Sequence, residues 1–352
     1  MKTYKNLYEN ICSFENLWRA SRKAKRGKSS VEYVQRFEHR LEPELLLLRD
    51  QLLHQTYVPG VYKEFMIVEP KLRMISAAPY RDRVVHHALC NIIEPLFERS
   101  FIFNSYANRV GKGVHSAVDR YQVFARKYRY VLKCDIRKYF PSIDHNILKG
   151  IVRRRIACPR TLWLIDTIID NSNAQEQIID YFSGDNLFTP FQRRRGLPIG
   201  NLTSQFLANV FLNGFDHYMT ETLHCEGYIR YVDDFVTFSD SKDRLYEIRE
   251  AASEQLANQR LTLHDKKSLV HRTDAGVQFL GYRMFPEYRL LLHAAKVRYR
   301  RKLKRLTQNY HEGKVPLSRV RASIHGWLGH ATKAQTYRLR TQILSEAVFT
   351  TG

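Results

Sequence analysis

The sequence predicts an α+β fold, carried by its composition and by the mixture of β-prone and helical runs in its 352 residues, and its charge predicts the partner. Apolar residues make up 44% and aromatics 12%, enough for a sizeable core in two or three subdomains of about 100–200 residues each. The β-prone runs Tyr130–Ile136, Tyr228–Val232 and Phe235–Phe238 are interleaved with long segments of helical period. The net charge is +22 and is gathered at the two ends. Arg19 to Lys28 holds six basic residues and no acid, and Arg289 to Arg340 holds fourteen against the single acid Glu312.

Several classes are excluded at once. The longest aliphatic run, Leu45–Leu48, is far short of the roughly 20 residues a membrane helix needs. Met1-Lys2-Thr3-Tyr4-Lys5 precedes no apolar segment, so no secretory leader is expected. Five scattered cysteines disfavour both a disulfide framework and a zinc site, and a reducing cytoplasm fits them best. A polyanion, nucleic acid before anionic membrane, is the partner the charge predicts.

In chain order, Val31 to Leu53 reads as helix, with Pro43 restarting it as a first-turn residue. Tyr62–Val68 reads as a strand, and Asp82 as the cap of a helix carrying Val84, Val85, Ala88, Leu89, Ile92, Ile93 and Leu96. A helix follows Gly111-Lys112-Gly113, then the buried strand Tyr130–Ile136, then helices around Asn146 and Leu162. Residues 171–200 are poorly periodic and hold Gly184, Pro190, Gly196, Pro198 and Gly200, so they read as irregular or as short strands. Asn201 or Thr203 caps the helix of Leu202, Phe206, Val210, Phe211 and Phe215. Tyr228–Val232 and Phe235–Phe238, separated by Asp233 and Asp234, have the spacing of a tight hairpin. A helix (Ser241–Asn258), a strand (Leu261–Leu263) and a strand pair around Val270 and Val277–Arg283 follow. In the final basic helix Val297, Tyr299, Leu303 and Leu306 form a buried stripe and turn Lys and Arg outward, a surface suited to a phosphate backbone.

Two adjacent acids in a turn are commonplace. Here both flanks are apolar and β-prone, a third acid, Asp135, ends another buried strand, and the chain is otherwise basic. Three carboxylates at neighbouring strand ends can hold two Mg²⁺ ions about 3.5–4 Å apart, stabilising the attacking and leaving oxygens of phosphoryl transfer.

At these residues the chain resembles the reverse transcriptases over most of its length. Tyr231-Val-Asp233-Asp234 is similar to the family's catalytic hairpin, Lys133-Cys-Asp135-Ile-Arg-Lys-Tyr-Phe140 to its first palm motif, and Phe279-Leu-Gly281-Tyr282 to its primer grip. Arg73-Met-Ile-Ser76, Arg83-Val-Val-His-His-Ala88 and Ser105-Tyr-Ala-Asn-Arg109 extend the match. The resemblance implies a right-hand polymerase. Its expected divisions are a basic N-terminal extension (1–60), fingers (61–130), a first palm part (131–170), an insertion (171–200), the palm with hairpin and primer grip (201–288) and a basic helical thumb (289–352). Gly196-Leu-Pro-Ile-Gly-Asn-Leu-Thr-Ser-Gln205 resembles the enzymes of bacterial and phage diversity-generating retroelements, which copy a noncoding template RNA with errors at adenines.

The resemblance implies these roles. Asp135 and Asp233, with Asp234 and the carbonyl of Ile136, hold two Mg²⁺ ions, for which Mn²⁺ can substitute. Lys71 and Arg73 clamp the triphosphate, Phe140 is the steric gate against a ribose 2′-hydroxyl, and Gln205 lies in the nucleotide motif. Ile199 stands where the family usually has Gln; it either loosens discrimination or packs beneath the nucleotide. Lys267, beside Lys266, matches a lysine that protonates the leaving pyrophosphate. Arg109 and Lys112 suit the template, and Tyr231, Gly281, Tyr282, Arg298 and Arg301 the template-primer duplex. Asp144 reads as a helix cap as readily as a catalytic acid.

The implied partners are a structured noncoding RNA, a DNA or RNA primer, dNTPs and a small basic oligomeric accessory protein. About seventy residues after the primer grip suffice for a three-helix thumb and leave no room for an RNase H domain. Alternatives are an antiphage-defence reverse transcriptase, an idle RNA chaperone and, more weakly, an RNA-templated RNA polymerase.

Overall fold

The computed structural model describes residues 2–68, 72–173, 176 and 178–349. Four helices open the chain: α1 (Tyr8–Cys12), α2 (Phe14–Lys25), α3 (Glu32–His39) and α4 (Leu41–Leu53). The expected long helix from Val31 breaks at Arg40 and restarts with Pro43 in the first turn of α4. Tyr8, Leu17, Val34, Leu45 and Leu52 of these helices share one buried cluster with Leu132, Phe211 and Phe235 of the palm. Asn16 locks the junction, its Nδ2 donating to the Ile11 and Ala88 carbonyls at 3.0 and 2.9 Å.

Next come an antiparallel hairpin, β1 (Lys63–Ile67) and β2 (Arg73–Ala77), then α5 (Tyr80–Glu98) and α6 (Val114–Lys127), in the segment expected to form the fingers. Asp82 does not cap α5, which begins two residues earlier at Tyr80. Its buried carboxylate instead accepts from Tyr57 and from the Gly60 amide, both at 2.8 Å, tying the preceding loop to the helix.

The palm sheet has the order β4-β5-β3-β6, wholly antiparallel. Its strands are β3 (Tyr130–Asp135), β4 (Ile229–Tyr231), β5 (Asp234–Ser239) and β6 (Leu269–Arg272). Alternation decides the faces: Leu132, Cys134 and Phe235 join the large cluster, while Val131, Val236 and Phe238 point to a second cluster under α6. The first face is covered by α5, α11 (Leu202–His217) and α12 (Lys242–Ala257). Between β3 and α11 lie α7 (Tyr139–Ser142), α8 (His145–Arg153) and α9 (Pro159–Asp170), with Asp144 capping α8 through the Ile147 amide at 3.0 Å.

Among the described residues of 171–200 the one helix is α10 (Thr189–Gln192), held by buried Arg193, whose guanidinium grips both oxygens of Asp185 at 2.5 and 2.6 Å. Two strand expectations change. Leu261–Leu263 contributes only an isolated bridge, Leu263 to Ile136. The Val270 strand, β6, pairs with β3, not with the Val277 segment, which folds on itself as β7 (Val277–Phe279) and β8 (Tyr282–Met284) and adds β9 (Arg289–Leu291).

Three helices close the chain: α13 (His293–His311), α14 (Leu317–Ala331) and α15 (Tyr337–Ser345). Tyr299, Leu303 and Leu306 are buried, and Tyr299 stacks on Trp327 of α14 with ring centroids 4.0 Å apart. Among the described residues no helix is long and apolar enough to cross a membrane.

Candidate active site

The antiparallel register of β3 and β5 sets Asp135 directly opposite Asp234 at the sheet end. Asp233 follows at once in the turn, its carbonyl accepting from the Ile136 amide at 3.1 Å. Three carboxylates from two sequence-distant strands thus meet at one end of the palm. The turn differs from expectation by one residue: Tyr231 pairs with Asp234, so its two central residues are Val232 and Asp233, and Asp234 belongs to β5. Val232 adopts φ 57°, a left-handed conformation rare for a β-branched residue.

Burial pushes the Asp233 carboxyl up, with Asp135 adding repulsion and Arg73 opposing it. Burial likewise lifts Asp234 to about 6, with Lys133 opposing and both neighbouring acids reinforcing the rise. Positive charge is supplied by Lys267, whose Nζ lies 2.7 Å from Asp135 Oδ2. A short 3₁₀ turn, Asp265–Lys267, presents it, and the His264 amide anchors that turn on the Asp135 carbonyl at 2.8 Å. The lysine that reaches the acids is therefore Lys267, not Lys266.

Carboxylate oxygens are the hard donors that Mg²⁺ and Mn²⁺ prefer. Among the described residues no three His, Cys, Asp or Glu side chains close around a single point. The donor chemistry nonetheless fits a divalent ion: two acids held up by burial and mutual repulsion are in a state that a cation reverses.

The nucleotide candidates divide. Arg73 begins β2, exposed, and its field reaches Asp233. Lys71 lies outside the described residues. Phe140 follows Lys138, which turns the chain with φ 46°, and the Phe140 ring meets Tyr139 edge-on at 5.7 Å. The Phe140 carbonyl accepts from the Leu197 amide at 2.9 Å, and Ile199 O accepts from the Ser76 amide at 3.0 Å. These bonds lay the Gly196–Gly200 segment between palm and fingers. Gly200 is required there: at φ 116° an added Cβ would come 2.9 Å from Ile75 Cγ2. Gln205 lines a cavity of about 210 Å³ with Lys28, Arg83, His86, His87, Asn201 and Gly200 itself.

Two template-primer candidates are engaged within the chain. Arg109 is 7% exposed, and its guanidinium is spent on Glu98 and on the Ile102 and Ser105 carbonyls, so it braces a loop. Tyr282 is fully buried and its hydroxyl is held by His330 of α14 at 2.8 Å, joining the β7–β8 hairpin to the thumb. Lys112 sits 3.4 Å over the Phe103 ring with its ammonium on the Phe103 carbonyl. Tyr231 is half-buried beside Asp234, Gly281 occupies the β7–β8 turn at φ 90°, and Arg298 and Arg301 stand exposed on α13.

Sequence reading missed one element of the site. Arg230 and Asp216 form an ion pair with both side chains at 0% exposure, directly behind the acidic turn. The only sequence signal is a lone Arg in an otherwise β-prone run, which reads more readily as a solvent-facing residue.

Comparison with known proteins gives the family. A family model described as "Reverse transcriptase (RNA-dependent DNA polymerase)" matches residues 63–284, from the start of β1 to the end of β8. Protein YkfC of Escherichia coli is 27% identical over 70% of this chain and 72% of its own length. The group II intron-encoded protein LtrA of Lactococcus lactis is 22% identical over 51% of this chain, which spans only 29% of that relative. Apo telomerase from Candida tropicalis superposes with TM-score 0.44 at 12% identity, covering 64% of this chain and 47% of the other. With the family match spanning more than half of the sequence, the chain belongs to the reverse transcriptases, the RNA-dependent DNA polymerases.

Proposed function

We propose that this chain copies a structured noncoding RNA into cDNA by two-metal nucleotidyl transfer, with the relaxed fidelity of diversity-generating retroelement enzymes. The observation that carries the chemistry is the pairing of Asp135 with Asp234, with Asp233 beside them in the turn and Lys267 on Asp135. When bound, Mg²⁺ or Mn²⁺ would make the primer 3′-hydroxyl a better nucleophile and neutralise the triphosphate. Asp135, Asp233 and Asp234 hold the charge that attracts such ions. Arg73 offers a planar guanidinium to the phosphates, and Lys267 is placed to hand a proton to departing pyrophosphate. Phe140, next to the Leu197 segment, is the candidate gate against ribose.

Relaxed fidelity rests on Ile199, which offers no side-chain hydrogen bond to an incoming nucleotide and whose backbone is committed to Ser76. The basic outer face of α13, with Arg298 and Arg301, is the proposed duplex grip. A DNA or RNA primer and a small basic accessory protein complete the proposed assembly.

Primer extension on an RNA template, with dNTPs against NTPs, tests the chemistry, and sequencing the cDNA of wild type and Ile199→Gln tests the fidelity reading. The expected result is dNTP-dependent product with substitutions at template adenines that diminish in Ile199→Gln. An unchanged error spectrum would overturn the role of Ile199. A second reading draws on relatives named for introns, LtrA and an Arabidopsis nuclear intron maturase, and makes the bound RNA an intron. Sequencing RNA recovered with the protein from its host separates the two.

A further inference from the structure

We propose that Arg230 is the positioning residue of the catalytic turn, holding Asp233 in place by clamping the strained Val232 that precedes it. The inference rests on the reverse transcriptase reading and adds to it a residue outside the three acids.

All five guanidinium N–H groups of Arg230 are engaged. Nε and Nη2 donate to the two oxygens of Asp216 at 2.6 and 2.7 Å, and Nη2 also donates to Ser105 Oγ at 3.3 Å. Nη1 donates to Asn209 Oδ1 at 3.2 Å and to the Val232 carbonyl at 3.0 Å. The acceptors are held in turn: Tyr228 donates to Asp216 at 2.8 Å, and Asn209 Nδ2 donates to the Ala107 carbonyl at 2.7 Å. The Arg230 backbone is fixed too, its amide on Asn104 and its carbonyl under the Tyr106 amide, both at 3.0 Å. One buried guanidinium therefore ties α11, the 104–107 loop and the turn together.

A buried ion pair is weak evidence for stability, since apolar residues of similar volume often serve the core as well. What apolar residues cannot supply is a donor aimed at the Val232 carbonyl. That donor matters because Val232 sits at φ 57°, which valine does not keep without outside restraint. The next residue is Asp233, and β4 has only one further residue between Arg230 and the turn. Release of the Val232 carbonyl lets the turn relax and carries the Asp233 carboxylate away from Asp135.

The test compares wild type, Arg230→Lys and Arg230→Lys/Val232→Gly in the full chain, with two readouts: primer extension on RNA, and binding of Mn²⁺ alone followed by its EPR signal. Lysine keeps the charge against Asp216 but cannot serve both its oxygens and the Val232 carbonyl. Arg230→Lys is expected to lose at least tenfold in extension rate and in Mn²⁺ affinity, with a cooperative melt retained. Glycine accepts φ 57° unaided, so the double variant is expected to recover most of both losses. A merely structural arginine gains nothing from that glycine. Should Arg230→Lys fail to fold, Arg230→Met/Asp216→Leu, which removes the pair without leaving an orphaned charge, takes its place in the same comparison. Wild-type rate and Mn²⁺ affinity in the single variant, or a double variant no better than the single, would overturn the proposal. Absence of extension by wild type sinks the polymerase reading instead, and Mn²⁺ binding still judges Arg230.

Discussion

Two hairpins in this molecule have turns of the same length and opposite construction. The β7–β8 turn, Leu280-Gly281, has both residues at positive φ, 46° and 90°, with glycine second, as a type I′ turn favours. The β4–β5 turn, Val232-Asp233, has positive φ only at a valine and no glycine at all. The first follows from local chemistry with modest support from Tyr282 and His330. The second is imposed by the buried Arg230 network behind it and by the Ile136 amide on Asp233. Both turns thus hold a non-glycine residue at positive φ, but the β-branched one, Val232, sits at the turn that carries the acids, while Leu280 is followed by the glycine that its turn type favours. The contrast separates a turn chosen for where it puts a carboxylate from one chosen for its own stability.

Four substitutions probe this contrast, beginning with the largest effect. Asp233→Ala is expected to lower primer extension by about three orders of magnitude or more, since no neighbouring oxygen replaces the carboxylate, while the melting temperature holds or rises. Activity persisting in that variant would detach the acidic turn from the chemistry. Lys267→Met removes the ammonium from Asp135. Extension should fall about a hundredfold, in the range for loss of a proton donor. Its exposed ion pair contributes at most about 1 kcal/mol, so a large loss of stability would show that Lys267 mainly supports the fold.

On the other hairpin, Gly281→Val puts a β-branched residue at φ 90° and should cost about 1–3 kcal/mol in urea unfolding. A cost near zero would erase the distinction between the two turns. Tyr282→Phe breaks the bond to His330, and a loss of about 1 kcal/mol is expected, with extension reduced less than by any change at the acidic turn.

Much of this architecture was legible in the residues. Helix α6 begins where Gly113 ends its turn, α12 (Lys242–Ala257) lies within the expected Ser241–Asn258, and β3 ends at Asp135. The thumb stripe of Tyr299, Leu303 and Leu306 is buried and its basic flank exposed. The bonds that could not be read there have a common cause. Asp82, Arg109 and Tyr282 carry side chains whose chemistry suits a cap, a template phosphate and a primer, and each is taken by a partner far along the chain or in a neighbouring loop. A polar group becomes a structural bond when burial makes an unsatisfied atom costly, and burial is a tertiary property.

The sequence by itself determined the kinds of group available: three acids on β-prone runs, a lysine after Leu261-Thr-Leu-His, an isoleucine before Gly200 and a basic final helix. Periodicity and turn chemistry act over a few residues, so they locate elements and name their faces. Only the tertiary structure decided that β3 pairs with β5 in the register that opposes Asp135 and Asp234, that Lys267 and not Lys266 meets them, and that Arg230 lies under Val232. Those are contacts between residues dozens to more than a hundred positions apart in the case of the acids and the lysine, and they are set by which apolar faces the whole chain can bury together.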